Sequence, residues 1–544
     1  MAELRMLEEA KGMMKVVDPP EEPFKSKYRA REILKKILDA SGDSTAAHDE
    51  EEAKKIVEGL FKKLGEKVPE NTKLPNIDSK LPDQVKIILG RTHHLMAKNY
   101  TETEEGSRAK AHLTRAEKLL KPFGIKFAAE MVDVYNLAAM AASNRQEQTL
   151  AKEKLMSGMN LYKEAKAKGH TSKELEELHT LTLFYLAQVE GHLGDSVAAA
   201  KNLSLTLARQ LAGEINPKDW VQNGISLAGF HINNHRYAQA DHMLKASQKV
   251  LSTRWNDDKE DNEDKEEGQA NIHRTWGALC LHRLRGEEPE GKWEDLFKSL
   301  ELKTPKEYRR CLDYEDAKPV FLEGKKHLLT ASKFFILDGF VTDHIKILQE
   351  LSQLWKLLSV REKNLSRRAK MHKRRINLLR PVLHEINQAA YGQEYQQLAD
   401  EVASSYVEIQ DIKETLFPSL PEKERGKAII KINSVARQAL LYYRLFIRGF
   451  HKGFGADIPD KIDDYLQKPY LNARFFVARL YTRIIGDSTP TTCRLHQASL
   501  EEYKTIIQLV KKWNTKDFTA ELNICKEMVE LLPPKIANFQ RMDE

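Results

Sequence analysis

The chain has 544 residues, 41% hydrophobic and 31% charged, with only 19 Pro and 26 Gly. That length exceeds a single compact core unless the fold grows by adding repeats, and so few turn formers argue against a β-rich chain. A net charge of +7 from 87 basic and 80 acidic residues makes a mixed-charge surface, not that of a dedicated nucleic-acid binder.

The N-terminal stretch is charged and lacks an apolar core, so it does not read as a secretory signal. A helix is expected over 2–16, ending before Pro19-Pro20, and another over 28–38. Segments 41–52 and 65–83 are rich in turn formers and charge and read as loops. From Gln84 onward apolar residues recur at three and four, and helices are expected in pairs. The pairs are 84–98 with 105–122, 128–143 with 146–168, 172–192 with 195–213, and 217–232 with 236–252.

The last two pairs repeat one pattern at an offset of 41 residues. Leu186-Ala187, Ala199 and Leu203 are echoed by Leu227-Ala228, Ala240 and Leu244, with Gly194 and Asn233-Asn234 marking the turns. A small residue facing another small residue across the turn lets two antiparallel helices approach closely. Repetition of such hairpins predicts an all-α solenoid, whose extended groove binds macromolecules more often than it performs chemistry.

The acidic segment 256–267 (NDDKEDNEDKEE) carries no apolar residue and is expected to be disordered, followed by a short helix over 268–286. This suggests three parts: a helical half over 1–255, a linker over 256–312 and a second helical half over 313–544. In that last part, Leu358, Leu365, Ala369, His372, Ile376 and Leu379 form one apolar stripe, expected on a single helix that Pro381 kinks or ends. Further helices are expected over 313–336, 390–415, 424–450, 461–486, 496–513 and 517–531, the last stopped by Pro533-Pro534.

Candidate chemistry is sparse. Cys280, Cys311, Cys493 and Cys525 are far apart and suit reduced thiols, neither a disulfide framework nor zinc. His93 and His94 are adjacent and diverge by about 100° on a helix, while Asn233-Asn234 separates His231 from His235. No metal site is expected. Phosphate-loop, dinucleotide, zinc-protease and serine-hydrolase motifs are lacking, and the glycines of 449–455 (GFHKGFG) suit a helix C-terminus. No catalytic residue or cofactor is therefore assigned. No run of about 18 apolar residues exists for a membrane span. The basic cluster Arg367, Arg368, Lys370, Lys373, Arg374 and Arg375 flanks the apolar stripe and reads first as the solvated or ion-paired sides of a packed helix, with a contribution to partner binding as the alternative.

Six stretches together resemble the kinesin-binding (KIF-binding) protein family. They are 24–31 (FKSKYRAR), 185–189 (YLAQV), 338–345 (DGFVTDHI), 369–376 (AKMHKRRI), 476–481 (FVARLY) and 526–533 (KEMVELLP), in family order across nearly the whole chain. The resemblance implies a right-handed α-solenoid of tetratricopeptide-like hairpins in two halves. It also implies a non-enzymatic cytoplasmic regulator, associated with the cytoskeleton, that clasps kinesin motor domains and blocks their attachment to microtubules. Its implied contacts are Tyr185, Gln188, Gln210 and Ser226, where the family favours Thr, together with Glu385, Asn387 and Gln388. A motor's track-facing surface is basic because tubulin is acidic, so the complementary groups must be local and polar or acidic. The alternative is a general tetratricopeptide scaffold, although no basic carboxylate-binding set is identifiable for a peptide clamp.

Overall fold

The computed structural model describes residues 2–20, 22–41, 82–255, 262–290, 293–451 and 458–541. Among these residues all regular structure is helical. The expected loops at 41–52 and 65–83 lie almost wholly outside the described residues. By packing, the chain divides into two compact units, residues 1–216 with 296–299, and 217–295 with 300–544.

The first unit holds α1 (Ala2–Met14), α2 (Lys25–Ser41), α3 (Asp83–Glu102), α4 (Gly106–Leu120), α5 (Ala128–Asn144), α6 (Gln148–Ala167), α7 (Lys173–His192) and α8 (Ser196–Gln210). Each odd-numbered helix packs on its successor as a hairpin, and α3, α5 and α7 also pack side by side. The α7–α8 hairpin shows how sequence makes this unit. Ser172 caps α7 by accepting from the Leu175 N–H at 3.1 Å. Gly194 closes the turn at φ +82, where a side chain would be strained, and Asp195 then caps α8. Leu186 and Val189 join Ala139, Ala142, Ala151 and Leu155 in a core shared by three helices.

The second unit holds α9 (Pro217–Asn233), α10 (Tyr237–Arg254), α11 (Asn262–Arg285), α12 (Tyr314–Ala331), α13 (Val341–Arg361), α14 (Leu365–Glu385), α15 (Gly392–Leu416), α16 (Glu422–Arg448), α17 (Asp464–Arg483), α18 (Thr489–Trp513) and α19 (Thr519–Arg541). Consecutive helices pack on one another through the unit. The expected boundary near 255 falls inside this unit because α10 packs on α11. The repeat seen in the sequence is unequal in packing. Ala240 and Leu244 are buried on α10, which lies against both α9 and α11, whereas Ala199 and Leu203 on α8 are half-buried. His235, not an asparagine, takes the left-handed conformation in the second turn, at φ +58.

Three expectations are corrected. The acidic segment is helical from Asn262 onward, with only 256–261 outside the described residues. Glu263 and Asp264 sit in the first turn, where negative charge suits the helix dipole, and the Lys265 ammonium donates to the Trp255 carbonyl at 2.9 Å. The apolar stripe is broken between Leu358 on α13 and Leu365 on α14, because Asn364 caps a new helix by accepting from the Arg367 N–H. Pro381 lies inside α14, four residues before its end. Finally, α19 runs through Pro533-Pro534 to Arg541. Leu532 and Ile536, on either side of the prolines, are anchored in the core formed with α18, and that burial outweighs the lost helical hydrogen bonds.

Candidate protein interaction surface

Tyr185 and Gln188 lie one turn apart on α7. Tyr185 is half-buried against the Ala139–Leu155–Val189 core, and Gln188 is exposed. Burial raises the Tyr185 phenol's pKa, and the negative Asp133 on α5 adds to the shift. Asp133 is itself held by the His94 Nε2 at 2.8 Å and the Lys98 ammonium at 3.5 Å, both on α3. Burial disfavours its charge, but those two contacts win and keep the carboxyl below its usual pKa. Lys98 on α3 and Asp133 on α5 thus pair across the first helices of two successive hairpins, and the Asp133 charge is felt at Tyr185 on α7. These α3 and α5 residues are absent from the sequence reading, since nothing in a pattern 39 residues apart announces the His94–Asp133 pair.

Gln210, half-buried at the end of α8, does not join Tyr185. Its neighbour Arg209 donates to Glu176 at 2.5 Å and to Thr180 at 2.9 Å, near the start of α7. At 1.5 Å per residue those positions are about 7 to 14 Å, between one and a half and two and a half turns, down the helix from Tyr185. The Tyr162 hydroxyl also donates to Glu176, at 2.8 Å, and its ring stacks on His179 at 3.6 Å between centroids. Burial raises the Glu176 pKa, yet the Arg209 and Tyr162 hydrogen bonds outweigh it and the net shift is downward. Burial and then Arg209 lower His179 to about 4, so the imidazole stacks as the neutral ring.

The remaining expected contacts belong to the second unit. Ser226 is exposed midway along α9, its hydroxyl donating to the Gln222 carbonyl at 3.0 Å. Glu385 ends α14, and Asn387 and Gln388 follow it, all exposed. The Asn387 side chain accepts from the Ala389 N–H at 2.9 Å, shaping that bend. Because α9 packs on α10 and α11 while α14 packs on α13 and α15, Ser226 and the 385–388 bend lie on different parts of this unit.

On the basic helix α14 one charge, that of Arg375, is turned fully inward, while most of the others stay exposed. Arg375, 1% exposed, donates to Ser352 at 3.0 Å and pairs with Glu401 at 3.3 Å. Burial followed by Arg375 drives His372 down to about 3, leaving a neutral imidazole beside that guanidinium at 3.2 Å. Arg368 pairs with Glu408 at 3.4 Å, and Arg374 lies over the Trp355 ring at 4.8 Å. No group of three or more metal-ligating side chains occurs among the described residues, nor is any described helix long and apolar enough to cross a membrane.

Comparison with known proteins places these features in a family. The family model described as KIF-1 binding protein C terminal matches residues 218–296 and 287–539. The KIF-binding protein of Rattus norvegicus is 29% identical, the match covering 96% of this chain and 95% of that protein. That of Homo sapiens is 28% identical over 96% and 95%, and that of Drosophila melanogaster 23% over 95% and 93%. A solved structure described as a cryo-EM map of KIFBP shares the fold, with a TM-score of 0.60 and 24% identity over 95% of this chain and 98% of that one. With the matched stretches together spanning 218–539, the chain belongs to the KIF-binding protein family.

Proposed function

We propose that this protein binds kinesin motor domains and blocks their attachment to microtubules, without catalysing a reaction. The observation that carries the reading is that relatives matched over nearly their whole length, from rat to fly, bear the name KIF-binding protein. A helical-repeat fold supports it, because stacked hairpins present side chains from many helices to one large partner. The proposed contacts are Tyr185, Gln188 and Gln210 on the first unit, and Ser226 with Glu385, Asn387 and Gln388 on the second. Their chemistry is polar: four amides, a partly buried phenol, a hydroxyl and one carboxylate. Such groups complement a basic protein surface by hydrogen bonding and local charge. The protein is proposed to act in the cytoplasm, affecting microtubules only through the motor, and the three-part division 1–255, 256–312 and 313–544 remains a proposal for repeat organisation.

The test is capture of purified kinesin motor domains by the full chain, compared with a variant carrying Gln188→Ala and Tyr185→Phe. This pair removes the polar groups while keeping the ring that fills the Ala139–Leu155 core. Affinity should fall about tenfold, the scale of an interface residue costing more than 1 kcal/mol. Capture of short acidic C-terminal peptides without capture of any motor domain would instead favour a general scaffold.

A further inference from the structure

Between α11 and α12 the described residues 287–290 and 293–297 form no helix and lie as a strap along the start of α10. The Arg236 guanidinium, immediately before α10, forks onto both Glu290 carboxylate oxygens at 2.6 and 3.1 Å. The Glu290 N–H donates to the His235 carbonyl at 2.9 Å. One turn on, Gln239 pairs with the Glu294 backbone in both directions. Its side-chain oxygen accepts from the Glu294 N–H at 2.7 Å, and its amide donates to the Glu294 carbonyl at 3.2 Å. A further turn on, His242 meets the Trp293 ring at 5.3 Å between centroids, and its Nε2 stands 3.4 Å from the Asp295 carboxylate. Gln239 and His242 are 5% and 1% exposed, whereas the Glu290, Glu294 and Asp295 side chains of the strap stay at the surface.

These contacts divide as peptide recognition divides. A buried amide that pairs with a backbone N–H and C=O holds an extended chain whatever its side chain at that position, as a sheet edge does. A forked guanidinium and an imidazole beside carboxylates select acidic residues on either side of it. We propose that Arg236, Gln239 and His242 form a recognition surface for an extended acidic peptide with one aromatic side chain. Glu290, Trp293, Glu294 and Asp295 occupy it in cis, and a partner protein's segment of the same chemistry occupies it in trans. The preference for acid sets this surface apart from the proposed motor contacts, which answer a basic face. Tethering gives the strap an effective concentration on the order of millimolar, so a free peptide competes poorly until the strap is weakened.

The test uses the full chain and a fluorescein-labelled peptide with the sequence of residues 287–299 (EEPEGKWEDLFKS), followed by fluorescence anisotropy. Glu290→Lys, Trp293→Ala and Glu294→Pro together release the strap. They reverse the charge facing Arg236, remove the ring beside His242 and delete the N–H that Gln239 accepts. The released chain should bind the peptide at least about tenfold more tightly than the unaltered chain. Adding Arg236→Ala with Gln239→Ala to the released chain should abolish that gain, and the same peptide with its acidic residues replaced by lysine should show none. Should the triple variant melt early, Glu290→Lys alone serves in its place, with a gain of about threefold expected from one exposed ion pair. No gain on release, an equal gain for the lysine peptide, or a gain that survives the loss of Arg236 and Gln239 would each overturn the proposal.

Discussion

Arg375 shows what one buried charge asks of its neighbours. Its guanidinium is almost wholly removed from water and is satisfied by Ser352, His372 and Glu401 from three helices. Removing one partner leaves the other charge buried and unpaired, so Arg375→Met should cost about 3–5 kcal/mol in chemical denaturation. Replacing both, Arg375→Met with Glu401→Leu, should restore much of that loss, since a packed apolar pair avoids desolvating two ions. A double variant as unstable as the single one would show that the pair itself supplies the stability. The sequence marks Arg375 as one of six basic residues on a packed helix, and it turns inward as that reading allows. It does not mark the partner, because Glu401 lies 26 positions away on another helix. The same gap hides Asp133 from a reading centred on Tyr185. Tyr185 also illustrates a limit of periodicity: its ring sits beside a core, so Tyr185→Ala removes packing as well as the hydroxyl and should lower Tm, whereas Tyr185→Phe should scarcely change it.

Between helices, glycines record where backbones come close. A Cβ at Gly277 on α11 would stand 2.4 Å from the Leu328 side chain on α12, inside any real contact. Gly277→Ala should therefore destabilise by about 1–3 kcal/mol through overpacking. Gly229 on α9 has open space where its Cβ would lie, so Gly229→Ala should stabilise by about 0.5–1 kcal/mol through helix propensity. Paired thermal melts check both signs. Most helices are legible in the sequence because each must bury one stripe, and apolar spacing at three and four records that need. Breaks are less legible. The α13–α14 boundary contains neither Gly nor Pro, so its signal is the capping Asn364 alone, which the continuing apolar spacing overrides. Pro533-Pro534 is the reverse case, a strong local stop signal overcome by burial of Leu532 and Ile536.

Across the whole molecule, burial of neutral histidines links stability to pH. His179 and His231 are depressed to about 4 and His372 to about 3, in each case first by burial and then by a nearby arginine. Unfolding restores ordinary imidazoles near pKa 6.5, so below that pH the unfolded chain binds more protons. Stability is therefore fully present above about pH 6.5 and declines as pH falls toward 4, at about 1 kcal/mol per imidazole between pH 7 and 5.5. Tm measured across that range should drop, and His231→Phe should flatten the drop by roughly one imidazole's share. An unchanged slope would mean that His231 is protonated in the folded chain. The fold class and family are readable from the repeat and from motifs such as DGFVTDHI, whereas the grouping of contact residues is not, because stacking brings together positions that no local pattern links.

Microtubule co-sedimentation of a kinesin motor domain, with and without saturating amounts of this chain, tests the central claim most directly. The proposed function predicts that the motor leaves the pellet and remains in the supernatant with the chain. A motor that pellets undiminished, or that carries the chain into the pellet with it, would contradict it.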